Sequence, residues 1–529
     1  MLLQYQLIIT AATLLSIDVT TTAALVIVTG AQVDPGSPSV PPRRNISEIQ
    51  AENGAQWDLY IQALAAMQAA NETDPESYFQ ISGIHGKPYI EYDQTGPKNT
   101  AGWEGYCPHG EKLFLPWHRA YVALFEQVLV DRAKRISMTY PEEHRPRYIE
   151  AADTLRAPFW DWAGDEAVPE STVPQTVSIT VPENGQLVGK YVENPLHTFK
   201  FSQAVLDGQF GSFDDERNTE MYRCRKQNES YPETANSFIK DRNYKSMVYD
   251  VFARSSDFEQ FATLDSPGNS LEGVHGGIHW DAGCAAQFLH VDFTGFDPLF
   301  MLHHSNVDRM WAYWQAMHPD QRLFNGEYPA KNRWSTLENT TVTINSPLAP
   351  FRRSETEFHT SETIQSIHDL GYSYHGLERK NRNPEEIREQ VTRIINGMAP
   401  EFQTLNGGQA GDVSEVERPC SIEVSINGTY MGNLVLMSMP QSGVVHGEIP
   451  LDAVYSNLRG KSNRVLVDTL ESGLEVEIIK SDGTRSSPAN VRSLGIQIEQ
   501  VQVAAPRSDI ELPEYSNSTM LGIRLGNRS

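Results

Sequence analysis

The chain has 529 residues, 39% of them apolar, enough for more than one domain and a large buried core. Its formal charge of −25, from 43 basic and 68 acidic side chains, repels phosphate backbones and anionic headgroups, which argues against nucleic acid and membrane surfaces as partners. Four cysteines (Cys107, Cys224, Cys284, Cys420) are too few for a disulfide scaffold and form no C-x-x-C pair for zinc or redox work.

The chain opens on MLLQYQLIITAATLLSI, an apolar run of signal-peptide length followed by the small residues of TTTAAL, although no Lys or Arg precedes it. Asp18 and a threonine run interrupt it before the roughly 20 apolar residues that a membrane anchor needs. Residues 1–24 read as a signal peptide, and secretion is expected. Asn-X-Ser/Thr sequons at Asn45, Asn71, Asn228, Asn339, Asn427, Asn517 and Asn527 fit the same route, since glycans there would keep a secreted surface soluble.

From Arg43 to about Leu377 the sequence is dense in Trp, Phe and Tyr and carries helical periodicity. In PWHRAYVALFEQVLVDRAKR, Pro116 suits a first helical turn, and Val122, Phe125 and Leu129 share a face with His118. FDPLFMLHHSNVDRMWAYWQAM predicts a helix from an N-cap at Asp297, with Pro298 after it, to about Met317. It sets Phe300, His304, Asp308 and Trp311 on one side.

Residues 381–400 read as another amphipathic helix. The following NGGQAGDVSEVERP is Gly-rich and acidic with no apolar stripe, so 381–419 is expected to be helix and linker. Short β-branched runs with turn-forming Asn-Gly at 427 and Asp-Gly at 482 then predict a small β-sandwich over 420–512, with 513–529 as a tail.

One His pair at i, i+4 is weak evidence for a metal, but here there is company. His85, His109 and His118 form one set, and His275, His279 and His304, on two predicted helices, form a second. Three plus three imidazoles point to two metal ions. Such a site lacks the bridging carboxylates that hold hard cations, whereas imidazole suits copper in either redox state. The uncompensated positive charge would welcome a bridging anion such as a phenolate.

The wording of these stretches goes beyond spacing. IHG, GYCPHGEKLFLPWHRAYVALFEQ, LRAPFWDWA, LEGVHGGIH and FDPLFMLHHSNVDRMWAYW closely resemble the copper-A and copper-B regions of the fungal tyrosinase and catechol oxidase family, and GYSYHGL resembles its closing tyrosine motif. The resemblance implies a mainly α-helical bundle over 40–380 around a type-3 dicopper centre, with the β-sandwich after it. His85, His109 and His118 would hold copper A, and His275, His279 and His304 copper B, leaving His303 outside the ligand set.

Further residues take roles by the same resemblance. Cys107 matches the cysteine that fungal members link covalently to a ligand histidine, here His109. Phe300 matches an aromatic packed on a copper-B imidazole, and Asp308 is a candidate acceptor behind the ligands. Glu272 matches a glutamate holding the water that takes a phenolic proton, but the asparagine that usually partners it is Gly276 here. The 420–512 segment is similar to the C-terminal domain that shields the copper site in precursors. The cut that removes it is expected at Arg379–Lys380 or near 407.

The implied function is oxidation of o-diphenols or o-aminophenols to o-quinones with dioxygen, with weak monophenol hydroxylation, in pigment or secondary-metabolite formation. Two alternatives stand beside it. One is zinc on the same scaffold, acting as a Lewis acid on an aromatic metabolite. The other is a haemocyanin-like oxygen carrier, for which no subunit repetition speaks. Oligomeric state is left open.

Overall fold

The computed structural model describes residues 25–226, 228–399, 405–451 and 463–522, so the expected leader at 1–24 lies outside the described residues. Among those residues no helix is long and apolar enough to cross a membrane. The helical part is built on α1 (Ala55–Gln68), α2 (Phe114–Ser137), α3 (Tyr244–Arg254), α4 (Leu271–Ala282), α5 (Leu299–Met317) and α6 (Pro384–Asn396). Shorter helices, a hairpin of β1 (Thr176–Glu183) with β2 (Gln186–Glu193) that buries Val177 and Ile179, and a two-residue pairing of Tyr328–Pro329 with Thr341–Val342 surround them.

Helix α5 is buried on nearly every side, which marks it as the central helix of the bundle. The helix starts one residue later than expected, with Pro298 at the N-cap; Asp297 lies just before it, its carboxylate accepting from the Leu299 amide at 2.9 Å and its carbonyl from the Phe300 amide at 2.8 Å. The same carboxylate pairs with Arg223. Helix α2 lies against both α1 and α5, and α6 docks on α5 through Val391 and Ile395.

A buried polar knot ties α2 and α5 to both ends of the bundle sequence. Asp308 accepts from Arg119 at 2.5 Å, Arg43 at 3.0 Å, and the hydroxyls of Tyr372 and Tyr374 at 2.6 and 2.7 Å. Arg43 also pairs with Glu126 at 2.7 Å and stacks over the Tyr372 ring. Burial alone would raise the Asp308 carboxyl, but Arg119 and Arg43 beside it hold it below its ordinary range. Breaking a buried pair of this kind costs about 3–5 kcal/mol, because the partner is left charged and unpaired.

The C-terminal part is a sandwich of two antiparallel four-stranded sheets. One has the order β8-β7-β4-β5 and the other β10-β9-β3-β6, from β3 (Leu405–Asp412), β4 (Cys420–Ile426), β5 (Thr429–Leu436), β6 (Val444–Pro450), β7 (Leu474–Lys480), β8 (Arg485–Ser486), β9 (Gly495–Ala504) and β10 (Glu514–Gly522). Ile422, Leu434, Leu436, Val445, Ile478 and Ile496 fill the space between the sheets. The hairpin at Asn427–Gly428 turns with both residues at positive φ, as an Asn-Gly pair allows.

The expected boundaries need correction. The stretch read as a Gly-rich linker contains β3, which pairs with β9 on one side and β6 on the other. The expected tail contributes β10, paired with β9. Neither cleavage step is free backbone: Gly407 lies within β3, and the Lys380 amide donates to the Pro38 carbonyl at 3.0 Å beside a bridge between Ser39 and Arg379.

Candidate metal centre

The six expected histidines come from five places in the chain and converge inside the bundle. His118 sits on α2, His275 and His279 on α4, and His304 on α5, while His85 and His109 lie on loops; all six are at most 3% exposed. The Nε2 atoms of His85 and His118 lie 3.4 Å apart, and those of His275 and His279 3.0 Å apart. The His118 and His304 rings stack at 4.5 Å between centroids, joining the two halves.

The other ring nitrogen fixes how most of these imidazoles point. Nδ1–H of His85 donates to the Val291 carbonyl (3.0 Å), that of His118 to Phe114 (2.7 Å), and that of His279 to Phe288 (2.8 Å). A longer contact of 3.3 Å joins His275 Nδ1 to the Glu272 carbonyl. Each bond leaves an Nε2 lone pair free for a metal. Both ring nitrogens of His109 and His304 lack a partner in the protein, although they are buried. Buried polar atoms ordinarily find partners, so orphans of this kind call for a bound group.

Burial holds all six rings neutral. The His85 imidazole is pushed down to about 4 and that of His279 to about 3, while neighbouring histidines depress His109, His118, His275 and His304 further. A dry, neutral donor set dominated by imidazole fits copper, and among the described residues Cys107 but no carboxylate joins the histidine groups that could hold an ion. Phe300 stacks on His304 at 4.1 Å and meets His85 edge-on at 4.9 Å, as expected of it.

The chain matches the common central domain of tyrosinase over residues 75–317, a range that holds every candidate ligand. It is 34% identical to a tyrosinase of Podospora anserina over 68% of this chain and 66% of that protein. It is 32% identical to a tyrosinase of Neurospora crassa over 70% of this chain and 58% of that one. The chain belongs to the tyrosinase family. It spans less than two thirds of the length of these two relatives. The structure of a recombinant mushroom tyrosinase shares the fold of this tyrosinase-family chain at a TM-score of 0.82 with 22% identity, over 94% of this chain and 98% of that one.

Against the tyrosinase pattern, three residues take positions that need comment. Asp308 is not an acceptor for a ligand histidine: His304 has no hydrogen-bond partner, and Asp308 is filled by two arginines and two tyrosines. Glu272 accepts from the Gly110 amide at 2.6 Å and the Leu264 amide at 3.1 Å, so both its oxygens hold backbone. Burial still lifts its carboxyl to about 7. Cys107 donates its thiol to the His85 carbonyl at 3.1 Å and lies with His85 and His109 in one group whose donor atoms are all within 4.8 Å.

What sequence reasoning missed is the segment of the sandwich that lies beside the ligand-bearing stretches in this tyrosinase-family fold. Beyond β5, the segment Met437–Gln441 leaves the sandwich and enters the helical core. A Cβ on Gly276 would lie 3.8 Å from Met437 Sδ, and one on Gly110 would meet Pro440 at 2.4 Å. The segment thus lies against a residue next to His275 and a residue next to His109. Arg418 holds its shape, donating to the carbonyls of Met437, Ser438, Pro440 and Gln441. Arg254 of α3 braces the seam by pairing with Glu448 and Glu499 of the sandwich.

Proposed function

We propose that this chain is a secreted, latent copper oxidase that uses dioxygen to turn o-diphenols or o-aminophenols into o-quinones. Two copper ions would be held by His85, His109 and His118 and by His275, His279 and His304. The observation that carries this reading is the convergence of six buried neutral imidazoles, four anchored through Nδ1 and two with no protein partner. A copper pair supplies the two-electron exchange between dioxygen and the diphenol.

The chain supplies direction and dryness. The carbonyls of Val291, Phe114, Phe288 and Glu272 aim the Nε2 lone pairs inward, and Phe300 backs His304. Glu272 fixes the loop after His109 through the Gly110 amide. Its expected water-holding role would have to use the remaining lone pairs of oxygens already engaged by backbone. With Gly276 offering no side-chain amide to orient such a water, deprotonation of a monophenol is poorly assisted. Once the covering segment is displaced, oxygen uptake should be faster with a catechol than with the matching monophenol. Equal rates would refute the Gly276 argument, and no uptake with any catechol would remove the oxidase reading.

Secretion is supported by the Cys224–Cys284 disulfide and by the sequons, since disulfides persist in oxidising compartments. Cys107 is assigned as the sulfur of a covalent link to the His109 ring. Peptide mass spectrometry of the secreted protein checks both points: the peptide carrying Cys107 and His109 should weigh two hydrogens less than its composition, and no peptide should cover residues 1–24. An unmodified peptide, or a retained leader, contradicts the respective assignment.

A further inference from the structure

We propose that His303 is a positioning residue for copper B, a fourth imidazole that holds the rings of His275 and His279 without itself binding metal. The inference rests on the dicopper reading above. His303 and His304 are neighbours on α5, so their side chains leave the helix about 100° apart, although both offer a donor atom within 4.8 Å of those of His275 and His279. His304 turns towards Phe300 and His118, with which it stacks at 4.1 and 4.5 Å. His304 also meets the His275 ring edge-on at 4.9 Å, whereas His303 packs on α4 from the side facing Trp162.

There its ring lies flat on that of His275, 5.1 Å between centroids and 12° between planes, and stands perpendicular to that of His279 at 4.7 Å and 89°. Behind it are Trp162 at 6.0 Å and Phe288 at 6.2 Å, so it is wedged between the copper-B pair and the aromatic core. It is fully buried, and neither ring nitrogen makes a hydrogen bond of good geometry in the protein, although the His275 carbonyl lies beside it; because its nitrogens lie among those of His275, His279 and His304, ligation by His303 is the rival that the two variants decide.

The arrangement separates two jobs. His279 has the Phe288 carbonyl to orient it, at 2.8 Å, whereas His275 has only the long 3.3 Å contact to the Glu272 carbonyl. The weakly tethered ring is the one on which His303 lies face to face. A flat aromatic surface at that spacing removes the ring-flip freedom that a poor hydrogen bond leaves open. It therefore fixes the direction of the His275 Nε2 lone pair, and the part of His303 that matters is its plane, not its nitrogens.

This separates His303→Phe from His303→Ala in the full-length chain. The phenylalanine variant keeps the stacking surface and should retain two coppers per chain, with copper-B paramagnetic resonance parameters of the mixed-valent form like those of the parent. The alanine variant should keep the fold, judged by circular dichroism of the metal-free protein. It should bind copper B about 10- to 100-fold more weakly and show altered resonance parameters. Loss of copper B in the phenylalanine variant as well would identify His303 as a ligand and overturn the proposal. So would an alanine variant with parental affinity and spectrum. A parent chain that binds no coupled copper pair would overturn the dicopper reading and this proposal together, and is seen before any variant is made.

Discussion

Replacing His279 with alanine is expected to give a folded chain that holds one copper ion in place of two and has lost catechol oxidation by about 10³-fold or more, because a metal-assisted step depends on several kcal/mol supplied at the ion. The side chain is fully buried, with Nδ1 fixed by the Phe288 carbonyl at 2.8 Å and Nε2 directed at that of His275, 3.0 Å away. The other polar side chains of α4 are already engaged: Asp281 accepts from Arg242 and Tyr244, and Glu272 accepts from the Gly110 and Leu264 amides. Metal content by mass spectrometry and oxygen uptake are the two readouts. A variant that keeps two coppers and parental uptake would remove His279 from the ligand set.

The second large effect concerns the covering segment. Met437 is 5% exposed and lies against Gly276, so aspartate there would be buried unpaired whenever the segment is seated. Such burial costs several kcal/mol, while the displaced segment would carry the same carboxylate in water at no cost. The seated state is thereby disfavoured and the displaced one is not. Full-length Met437→Asp should oxidise catechol roughly 100-fold faster than the parent if the parent is open only about 1% of the time. The rise should be in the apparent kcat/KM of the uncut chain. An unchanged rate, with copper content intact, would mean that this segment does not limit access.

The histidines, Phe300, and the extents of α2 and α5 were legible because each is written locally. A helix start such as Asp297–Pro298 and an i, i+4 pair such as His275 and His279 need no partner sequence to be recognised. The groups that aim those rings were not legible, since the carbonyls of Val291, Phe114 and Phe288 belong to residues whose side chains say nothing of the task. The partners of Asp308 could not be read locally, because Arg43, Tyr372 and Tyr374 reach it from 265, 64 and 66 residues away.

In the sandwich, Leu405–Asp412 escaped recognition because its glycines weaken every strand signal. It is nonetheless a central strand, held by pairing on both sides. Met437–Gln441 escaped because nothing in a short polar-apolar mixture announces that it will leave its own domain to lie against Gly110 and Gly276.

The most direct test of this account is elemental analysis of the full-length protein purified from its native host, joined to its spectrum on addition of hydrogen peroxide. Two coppers per chain, silent in paramagnetic resonance because they are coupled, with a new near-ultraviolet absorption band, is the predicted result. Zinc in those positions, or a single ion with no such band, would contradict it.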